Sequence, residues 1–354
     1  MSRHLPRIQL PFDRDGFDEI VDVRSPGEFA EDHVEGAVNL PVLSDKERAE
    51  VGTIYKQTSP FEARRLGAAL VSRNIASHLE THFQGKPRDH RLLLYCWRGG
   101  QRSASFATVL DEVGWDVSLI DGGYKSYRSH VVDTIAKVAP QLRLIVLNGY
   151  TGAGKTLLLA KLKEEGAQVI DLEGFANHKG SVFGGDPKTP QPAQKHFESM
   201  IYRDLVGIDL AKPLFIEAES AKIGRLNLPN PLWQKMKASP VVEIDSPVES
   251  RARYLADDYE EWVGNLERVH ATIDRLTEFH SKKRLARWKD MTADGEWIPF
   301  VEDLLIHHYD TRYTVDGSGN YPVPTASVAL PHHGPEAVAA AAEELQALAP
   351  GVLS

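Results

Sequence analysis

The chain has very little cysteine: Cys96 is the only one among 354 residues. A lone cysteine cannot form a disulfide within the chain, and no second thiol is present to resolve an intermediate on the first. This usage is typical of the reducing cytosol, where we expect the protein to act.

Long apolar runs are also missing. No stretch approaches the roughly 20 apolar residues that span a membrane, and the segment Met1–Pro6 lacks the apolar core of a signal peptide. We therefore expect neither membrane insertion nor secretion. The composition, 42% hydrophobic and 26% charged, is typical of a soluble globular protein, and the length suggests two domains with a small appendage.

Positive charge is not in excess, because the formal net charge is −9. A uniformly basic nucleic-acid binder is thereby excluded, and any RNA site must be a local patch. The densest acid-free cluster, beside Trp288, consists of Lys282, Lys283, Arg284, Arg287 and Lys289. Phosphate contact with base stacking on Trp288 is one interpretation, and a solvated helix face is the other.

The cysteine lies in a loop that favours anions. Leu92–Tyr95 predicts a buried strand, and apolar residues at helical spacing after Ser103 predict a helix. Backbone N–H groups at the helix start, together with Arg98 and Arg102, favour a bound oxyanion and the thiolate form of Cys96. The loop therefore predicts a nucleophile beside an oxyanion seat, with a buried structural cysteine as the alternative.

A second anion-binding loop follows about fifty residues later. The segment Gly149-Tyr-Thr-Gly-Ala-Gly-Lys-Thr156 stands between the apolar run 144–147 and a leucine-rich helix, as in a phosphate-binding P-loop. The predicted contacts are Gly149, Thr151, Gly152, Gly154, Lys155 and Thr156, of which Thr156 can also reach a Mg²⁺ ion. The alternative is a glycine-rich turn with an exposed lysine.

Acidic residues follow two further predicted strands of the P-loop region. The usual Mg²⁺-holding residue of a nucleotide site is an aspartate, so a glutamate at 217 argues against ordinary ATP hydrolysis. The polar, glycine-rich run that begins at His178 is typical of a ligand-facing loop. The predicted ligand or Mg²⁺ contacts are Asp171, Glu173, His178, Ser181 and Glu217, and solvated strand-end carboxylates are the alternative.

The order of these elements predicts an α/β fold with parallel sheets and sites at the carboxyl ends of strands. We divide the chain into a first domain at 1–138, a P-loop domain with a helical extension at 139–320, and a linker with a terminal helix at 321–354. Predicted strands of the first domain are 19–24, 37–41, 92–96 and 115–120, with a helix at 61–83. Those of the second are 144–147, 168–172, 213–217 and 241–244.

Several motifs of the first domain together resemble a rhodanese domain, which carries sulfur or selenium on its loop cysteine. They are Asp22-Val-Arg-Ser-Pro-Gly-Glu-Phe29, His33-Val-Glu-Gly-Ala37, the Cys96 loop and Asp121-Gly-Gly-Tyr124. With the P-loop, Asp171-Leu-Glu173 and His178-Lys-Gly-Ser-Val-Phe-Gly184, residues 15 to about 315 resemble the bacterial tRNA 2-selenouridine synthase family, a rhodanese domain fused to a P-loop domain.

The resemblance implies a two-step modification of wobble 2-thiouridine in a tRNA anticodon stem-loop. A geranyl group from geranyl diphosphate is placed on the sulfur, and selenium from selenophosphate then replaces the S-geranyl group. Diphosphate would occupy the P-loop, while selenium would pass to Cys96 as a perselenide with Arg98 and Arg102 holding phosphate. The basic cluster would contact tRNA. No tightly bound cofactor is implied beyond a possible Mg²⁺, and an enzyme that supplies selenophosphate is an implied partner.

Two other functions fit the same motifs. Cys96 and Arg102 have the C-x5-R spacing of cysteine phosphatases, although Tyr95 replaces their usual histidine and no aspartate is an obvious general acid. A P-loop kinase or NTPase with a rhodanese adaptor module is the second. Locally, Arg24 and Glu28 could also be an ordinary ion pair at a helix start.

Overall fold

The computed structural model describes residues 5–178, 190–258, 265–312 and 321–353. The chain forms two compact units, one of Met1–Thr134 with Ala193–Arg203 and one of Ile135–Pro192 with Asp204–Ser354. Each contains a parallel sheet, so the predicted α/β fold is confirmed. Within the described ranges, no helix combines the length and the apolar character needed to cross a bilayer.

The first unit is built on a five-stranded sheet in the order β1-β5-β4-β2-β3, in which every pair is parallel. Its strands are β1 (Arg7–Ile8), β2 (Glu19–Asp22), β3 (Ala37–Asn39), β4 (Arg91–Tyr95) and β5 (Asp116–Ile120). Its helices are α1 (Pro26–Glu31), α2 (Asp45–Gln57), α3 (Pro60–Glu80), α4 (Gln101–Val113) and α5 (Gly123–Val138), with a 3₁₀ turn at Arg14–Gly16.

The second unit has a parallel sheet in the order β12-β11-β6-β8-β7 and a small antiparallel hairpin, β9–β10. The strands are β6 (Arg143–Asn148), β7 (Gln168–Ile170), β8 (Pro213–Glu217), β9 (Lys222–Ile223), β10 (Leu226–Asn227), β11 (Val241–Asp245) and β12 (Ala326–Ala329). The remaining helices within the described residues are α6 (Lys155–Glu164), α7 (Leu172–Ala176), α8 (Gln194–Val206), α9 (Asn230–Lys237), α10 (Val248–Asp258), α11 (Leu266–Asp274), α12 (Lys282–Ala293), α13 (Trp297–Leu304), α14 (Asp310–Arg312) and α15 (Pro335–Val352). Ala139–Gln141 and Arg275–Glu278 form 3₁₀ turns, and Leu305–Tyr309 forms a π-helical turn.

The last segment, 321–353, is more than the expected linker and helix. β12 pairs in parallel with β11, and Val328 and Leu330 are completely buried. α15 packs its alanine-rich face and Leu345 into the core formed by β6, α6 and β11. Sequence analysis did not predict this strand, because Ala326-Ser-Val-Ala329 is short, lies between two prolines and contains only one residue with a strong preference for strands.

α8 follows the P-loop region in the sequence, yet its residues up to Arg203 belong to the first unit. Ser199 donates a hydrogen bond to the Asp32 carboxylate at 3.0 Å, and Glu198 forms an ion pair with Arg128. The rings of Tyr202 and Tyr127 meet edge to face. Sequence analysis assigned this helix to the P-loop domain, because the order of elements along the chain does not show that the chain passes back into the first unit.

The Arg24 guanidinium lies at the centre of the first unit and is 1% exposed. It donates to the Asp22 carboxylate and to the Asp32 carbonyl oxygen, both at 2.6 Å. The same group lies 3.8 Å from the Tyr124 ring centroid and 5.6 Å from that of Tyr95. The suggested Arg24–Glu28 ion pair is therefore wrong, because Arg24 points into the core.

Replacing Arg24 with methionine should lower the free energy of unfolding of the first unit by about 3–5 kcal/mol, because Asp22 would remain buried without its counter-charge. Urea denaturation followed by tryptophan fluorescence measures the loss. The matched control is Arg65→Met, since the Arg65–Glu62 pair is largely exposed and should contribute less than about 1 kcal/mol. Equal losses in the two variants would contradict the central role of Arg24.

Candidate functional site

Cys96 lies directly after β4, at the carboxyl end of a central strand, and 3% of its surface is exposed. Its sulfur accepts a hydrogen bond from the Ser103 hydroxyl at 3.2 Å and lies 3.9 Å from the Gly100 carbonyl oxygen. Ser103 is buried in the first turn of α4. The Ser103 hydroxyl also lies 3.3 Å from the Gly100 carbonyl oxygen, so it contacts both ends of the cysteine loop.

The start of α5 holds the cysteine loop in place. The backbone N–H groups of Tyr124 and Lys125 donate to the carbonyl oxygens of Cys96 and Trp97 at 2.8 and 2.9 Å. Gly123 makes this approach possible, since a Cβ atom there would lie 2.3 Å from the Cys96 carbonyl oxygen. The Asp121-Gly-Gly-Tyr124 motif is therefore a backbone contact with the loop.

The two loop arginines differ in their surroundings. Arg98 is exposed and has no ion pair within the described part of the chain. Arg102 donates to Glu28 at 3.1 Å, and Arg48 forms a second ion pair with Glu28 at 2.8 Å. Burial alone would raise the pKa of Glu28, but Arg102 and Arg48 lower it below its usual value. Arg98 can thus meet an anion directly, whereas Arg102 must first leave Glu28.

Sequence analysis missed a buried polar network behind this loop. Asp32 is completely buried and accepts hydrogen bonds from Tyr124 at 2.8 Å and from Ser199 at 3.0 Å. His196 on α8 lies 3.5 Å from the other Asp32 oxygen, and Lys195 lies 5.9 Å from the Trp97 ring centroid. No local pattern marked Asp32, because its partners come from distant elements.

The predicted P-loop joins β6 to α6 and brings its six predicted residues together. The Lys155 ammonium group donates to the Gly149 carbonyl oxygen at 2.9 Å. The Thr156 hydroxyl lies 3.5 Å from the Glu173 carboxylate. Lys155 and Thr156 therefore stand where an anion and a cation would meet.

Arg251 on α10 supports the P-loop and was not predicted. Its guanidinium is 3% exposed and donates to the Thr151 carbonyl oxygen at 3.1 Å. The same group pairs with Asp310 at 2.7 Å and lies 5.1 Å from the Tyr150 ring centroid. No sequence signal linked α10 to the loop.

Carboxyl groups of β8 and α7 gather near Thr156. Glu217 accepts a hydrogen bond from the Glu173 backbone at 2.7 Å, while its second oxygen is buried and has no hydrogen-bond partner among the described residues. Burial, reinforced by Asp171 and Glu173, raises the pKa of Glu217 well above its usual value. Burial also raises the pKa of Glu219, with Glu173 adding to the effect.

The other predicted contacts of this site have different surroundings. Asp171 accepts a hydrogen bond from Gly174 at the start of α7 at 2.7 Å. The Nδ1 atom of His178 is buried and has no partner in the part of the chain that the structure describes, and burial lowers the pKa of His178. Ser181 lies outside the described residues. Within the described ranges, no three His, Cys, Asp or Glu residues form a ready-made metal site.

The basic cluster lies on α12, where its members differ in accessibility. Lys282 and Lys283 are exposed and Arg284 is half-buried. Lys289 is paired with Asp274 at 2.7 Å, and Arg287 lies 3.7 Å from Asp303.

Trp288 cannot serve as a base-stacking platform, so that interpretation is wrong. It is completely buried and donates to Asp303 at 2.7 Å. Leu285 and Met291 share its core, and their spacing on α12 marks a core stripe that the sequence already contained.

Two family models match the chain. The rhodanese-like domain matches residues 8–130, and the tRNA 2-selenouridine synthase AAA domain matches residues 142–285. Among solved structures, the N-terminal domain of a putative ATP/GTP binding protein from Clostridium difficile 630 is 35% identical, covering 35% of this chain and 98% of that one, with a TM-score of 0.31.

Curated relatives extend over both units. The tRNA 2-selenouridine synthase of Nitrosomonas europaea is 35% identical over 76% of this chain and 71% of its own length. That of Bdellovibrio bacteriovorus is 39% identical over 68% of this chain and 64% of its own length. The resemblance inferred from the motifs is thereby confirmed, and the chain belongs to the tRNA 2-selenouridine synthase family.

Proposed function

We propose that this protein converts wobble 2-thiouridine of tRNA to 2-selenouridine by geranylation followed by selenium exchange. The observation that carries the proposal is the presence in one chain of a cysteine loop and a P-loop, each at the carboxyl end of a parallel strand. The name of the curated relatives, tRNA 2-selenouridine synthase, supports the same product.

The P-loop suits the geranyl-transfer step. The thiouridine sulfur attacks the C1 carbon of geranyl diphosphate, the C–O bond breaks, and diphosphate leaves with the bonding electrons. Lys155 and the loop N–H groups stabilise the charge that develops on diphosphate. Thr156 and Glu173 would hold a Mg²⁺ ion, which would neutralise further negative charge. The second Glu217 oxygen, which accepts no hydrogen bond from any described residue, fits a nearby cation.

The raised pKa values of Glu217 and Glu219 help to explain how diphosphate can approach so many carboxyl groups. Burial and the neighbouring carboxylates disfavour negative charge on Glu217 and Glu219. A smaller negative charge on these two side chains would repel the incoming diphosphate less.

For the selenium step, electron balance favours attack of the Cys96 thiolate on phosphorus. Selenium in selenophosphate is at the selenide level, so the expected perselenide on Cys96 would require a two-electron oxidant. Attack on phosphorus requires none: an S–P bond forms, the P–Se bond breaks, and hydrogen selenide leaves as its anion. Water then releases phosphate from Cys96. The selenide adds to C2 of the modified base and expels geranyl thiol.

This route also explains two differences between the cysteine loop and the phosphatases, namely Tyr95 in place of histidine and the lack of an obvious general acid. Phosphatases with the C-x5-R spacing protonate an alcohol leaving group, whereas hydrogen selenide is a much stronger acid and leaves as an anion. The tyrosine at 95 and the missing general acid are then unremarkable. Arg98 is accessible to hold the phosphate oxygens, and Arg102 can exchange Glu28 for them.

The start of α12 is our proposed contact with the tRNA backbone. Lys282, Lys283 and Arg284 occupy its first turn, where cations oppose the helix dipole and each costs about 0.3–1 kcal/mol. The fold gains nothing from them there, so binding of a polyanion is a better explanation.

Changing Cys96 to serine should reduce selenium incorporation at least about 100-fold, because the nucleophile is lost, and should leave geranylation intact. Nucleoside analysis of tRNA treated with geranyl diphosphate and then selenophosphate measures both steps. Wild-type selenium incorporation by the variant would contradict the role of Cys96. Mass spectrometry of quenched wild-type protein separates the two routes, because a perselenide shows the selenium isotope pattern and a phosphocysteine does not.

Changing Lys155 to alanine should slow geranyl transfer about 100-fold, since the leaving diphosphate loses a charge partner. Gly154→Val should be at least as severe, because a side chain there would collide with Leu330 and His333. Lys163→Ala on the exposed face of α6 is the control and should be unaffected. Normal geranylation by Lys155→Ala together with lost ATP binding would assign the P-loop to a nucleotide.

Changing Lys282, Lys283 and Arg284 together to alanine should weaken tRNA binding and flatten the plot of log K against log salt by about two units. Filter binding at several salt concentrations measures both. Lys289→Ala, whose charge is already paired with Asp274, is the control and should bind nearly as wild type. An unchanged slope in the triple variant would move the RNA site elsewhere, with Lys125, Arg128, Lys179 and Lys195 as the next candidates.

A further inference from the structure

Trp97 directly follows Cys96 and lies in the same loop at the carboxyl end of β4. It is half-buried, whereas Trp288 is completely buried. Trp115, the other tryptophan of the first unit, directly precedes β5 and therefore stands at the amino end of the parallel sheet. Trp97 is thus the tryptophan of this unit that lies at the same end of the sheet as the reactive cysteine.

The start of α5 holds Trp97 from inside the unit. The Trp97 ring packs against the buried ring of Tyr124, with 5.4 Å between the two centroids. Its carbonyl oxygen accepts a hydrogen bond from the Lys125 backbone at 2.9 Å. An aromatic side chain that is already held in place loses little conformational freedom when a flat ligand stacks on it.

A cation stands over the Trp97 ring. The Lys195 ammonium group lies 5.9 Å from the ring centroid and is paired with Glu31 at 2.8 Å. The Lys195 side chain is 35% exposed, so the ring can be reached from solvent on this side. A cation–π contact at an exposed site is weak, and a lysine side chain is flexible. A nucleobase can therefore take the place of the ammonium group on the ring.

The surroundings of the ring carry positive charge. Arg98 and Lys125 are exposed, and neither forms an ion pair within the described residues. Lys195 adds a third cation, which its ion pair offsets in part. The acidic groups of Glu28 and Asp121, on elements that adjoin the loop, are each paired with an arginine. A polyanion is therefore attracted to this place, although the chain as a whole is acidic.

The proposed selenium step requires the modified base to lie close to Cys96. Hydrogen selenide leaves as a small anion when Cys96 attacks selenophosphate, and it must then add to C2 of the base. Without a base held beside the loop, the selenide would be lost to solvent, because the second reaction would depend on a chance encounter. An aromatic ring in the residue after Cys96 can hold the base there, since every base has a flat face that can stack.

We propose that Trp97 is the platform on which the wobble base of tRNA stacks during the selenium step, with Lys125 and Lys195 contacting the flanking phosphates. The inference rests on the proposed function, in that it takes the cysteine loop as the place where selenide is released. It adds a base contact to the proposed backbone contact at α12.

Binding of an anticodon stem-loop RNA tests the platform without any chemistry. Two RNAs are compared, one with uridine at the wobble position and one with an abasic site there. The wild-type protein should bind the uridine RNA about 5- to 100-fold more tightly, which is the effect of one stacked base. Trp97→Leu keeps an apolar side chain but has no aromatic face, so it should bind both RNAs about equally. Trp97→Phe should retain most of the preference.

Lysine variants of α5 separate the phosphate contacts from the base contact. Lys125→Ala should weaken binding of both RNAs alike and flatten the plot of log K against log salt by about 0.7 units, the effect of one lost phosphate contact. Lys137→Ala is the matched control, because Lys137 is exposed and lies about 18 Å further along the same helix. It should bind both RNAs as the wild-type protein does.

A structural role for Trp97 predicts a different result: Trp97→Leu would bind both RNAs more weakly and keep the preference for uridine, which would overturn the proposal. Equal binding of the two RNAs by the wild-type protein would do the same, as would a Phe variant no better than Leu. A loss in Trp97→Leu confined to RNA that carries S-geranyl-2-thiouridine would assign the ring to the geranyl chain instead.

Nucleoside analysis after incubation with selenophosphate distinguishes failure of the proposed function from failure of the platform. A uridine preference that depends on Trp97, without selenium incorporation, would leave the base contact in place and contradict the selenium step. Selenium incorporation without any such preference would contradict the platform alone. If Trp97→Leu does not fold, Trp97→Met takes its place, because methionine fills irregular gaps and likewise has no aromatic face.

Discussion

The first unit depends on how one buried positive charge is satisfied. The Arg24 guanidinium needs a counter-charge and acceptors that a core of leucine and valine cannot supply, and Asp22 and the Asp32 carbonyl oxygen provide them. Two aromatic rings cover its faces, those of Tyr95 and Tyr124. Tyr95 directly precedes Cys96, and the Tyr124 backbone N–H donates to the Cys96 carbonyl oxygen. The position of the sulfur is therefore tied to this charge.

The cysteine loop and the P-loop are held in place in a similar way, by hydrogen bonds to their carbonyl oxygens, but the donor groups differ. In the first unit, backbone N–H groups of α5 occupy the carbonyl oxygens of the cysteine loop. In the second, the Arg251 side chain donates to the Thr151 carbonyl oxygen of the P-loop. In both loops, a donor from a helix elsewhere in the same unit fixes a carbonyl oxygen of the loop. Backbone contacts require glycine at 123, whereas side-chain contacts come from distant helices.

Sequence patterns predicted the residues of the cysteine loop and the P-loop, because the residues of each loop are close together in the chain. Each anion loop is one strand, one turn and one helix, so its residues lie within about fifteen positions and their types indicate the chemistry. The supporting residues were not predictable in this way, because Asp32 and Arg251 reach their loops from distant parts of the chain. Trp288 was mispredicted for a different reason. The prediction followed the basic charge of its neighbours, whereas the helical spacing of apolar residues, which places Trp288 in the core, was the stronger physical signal.

The path of α8 has a consequence for how the protein could be divided. Ala193–Arg203 belongs to the first unit, while the residues on both sides belong to the second. A fragment that ends near residue 138 would lose Ser199 and His196, so the Asp32 carboxylate would keep its hydrogen bond from Tyr124 but lose the one from Ser199. A single proteolytic cut or gene truncation between the predicted domains therefore cannot release both units intact.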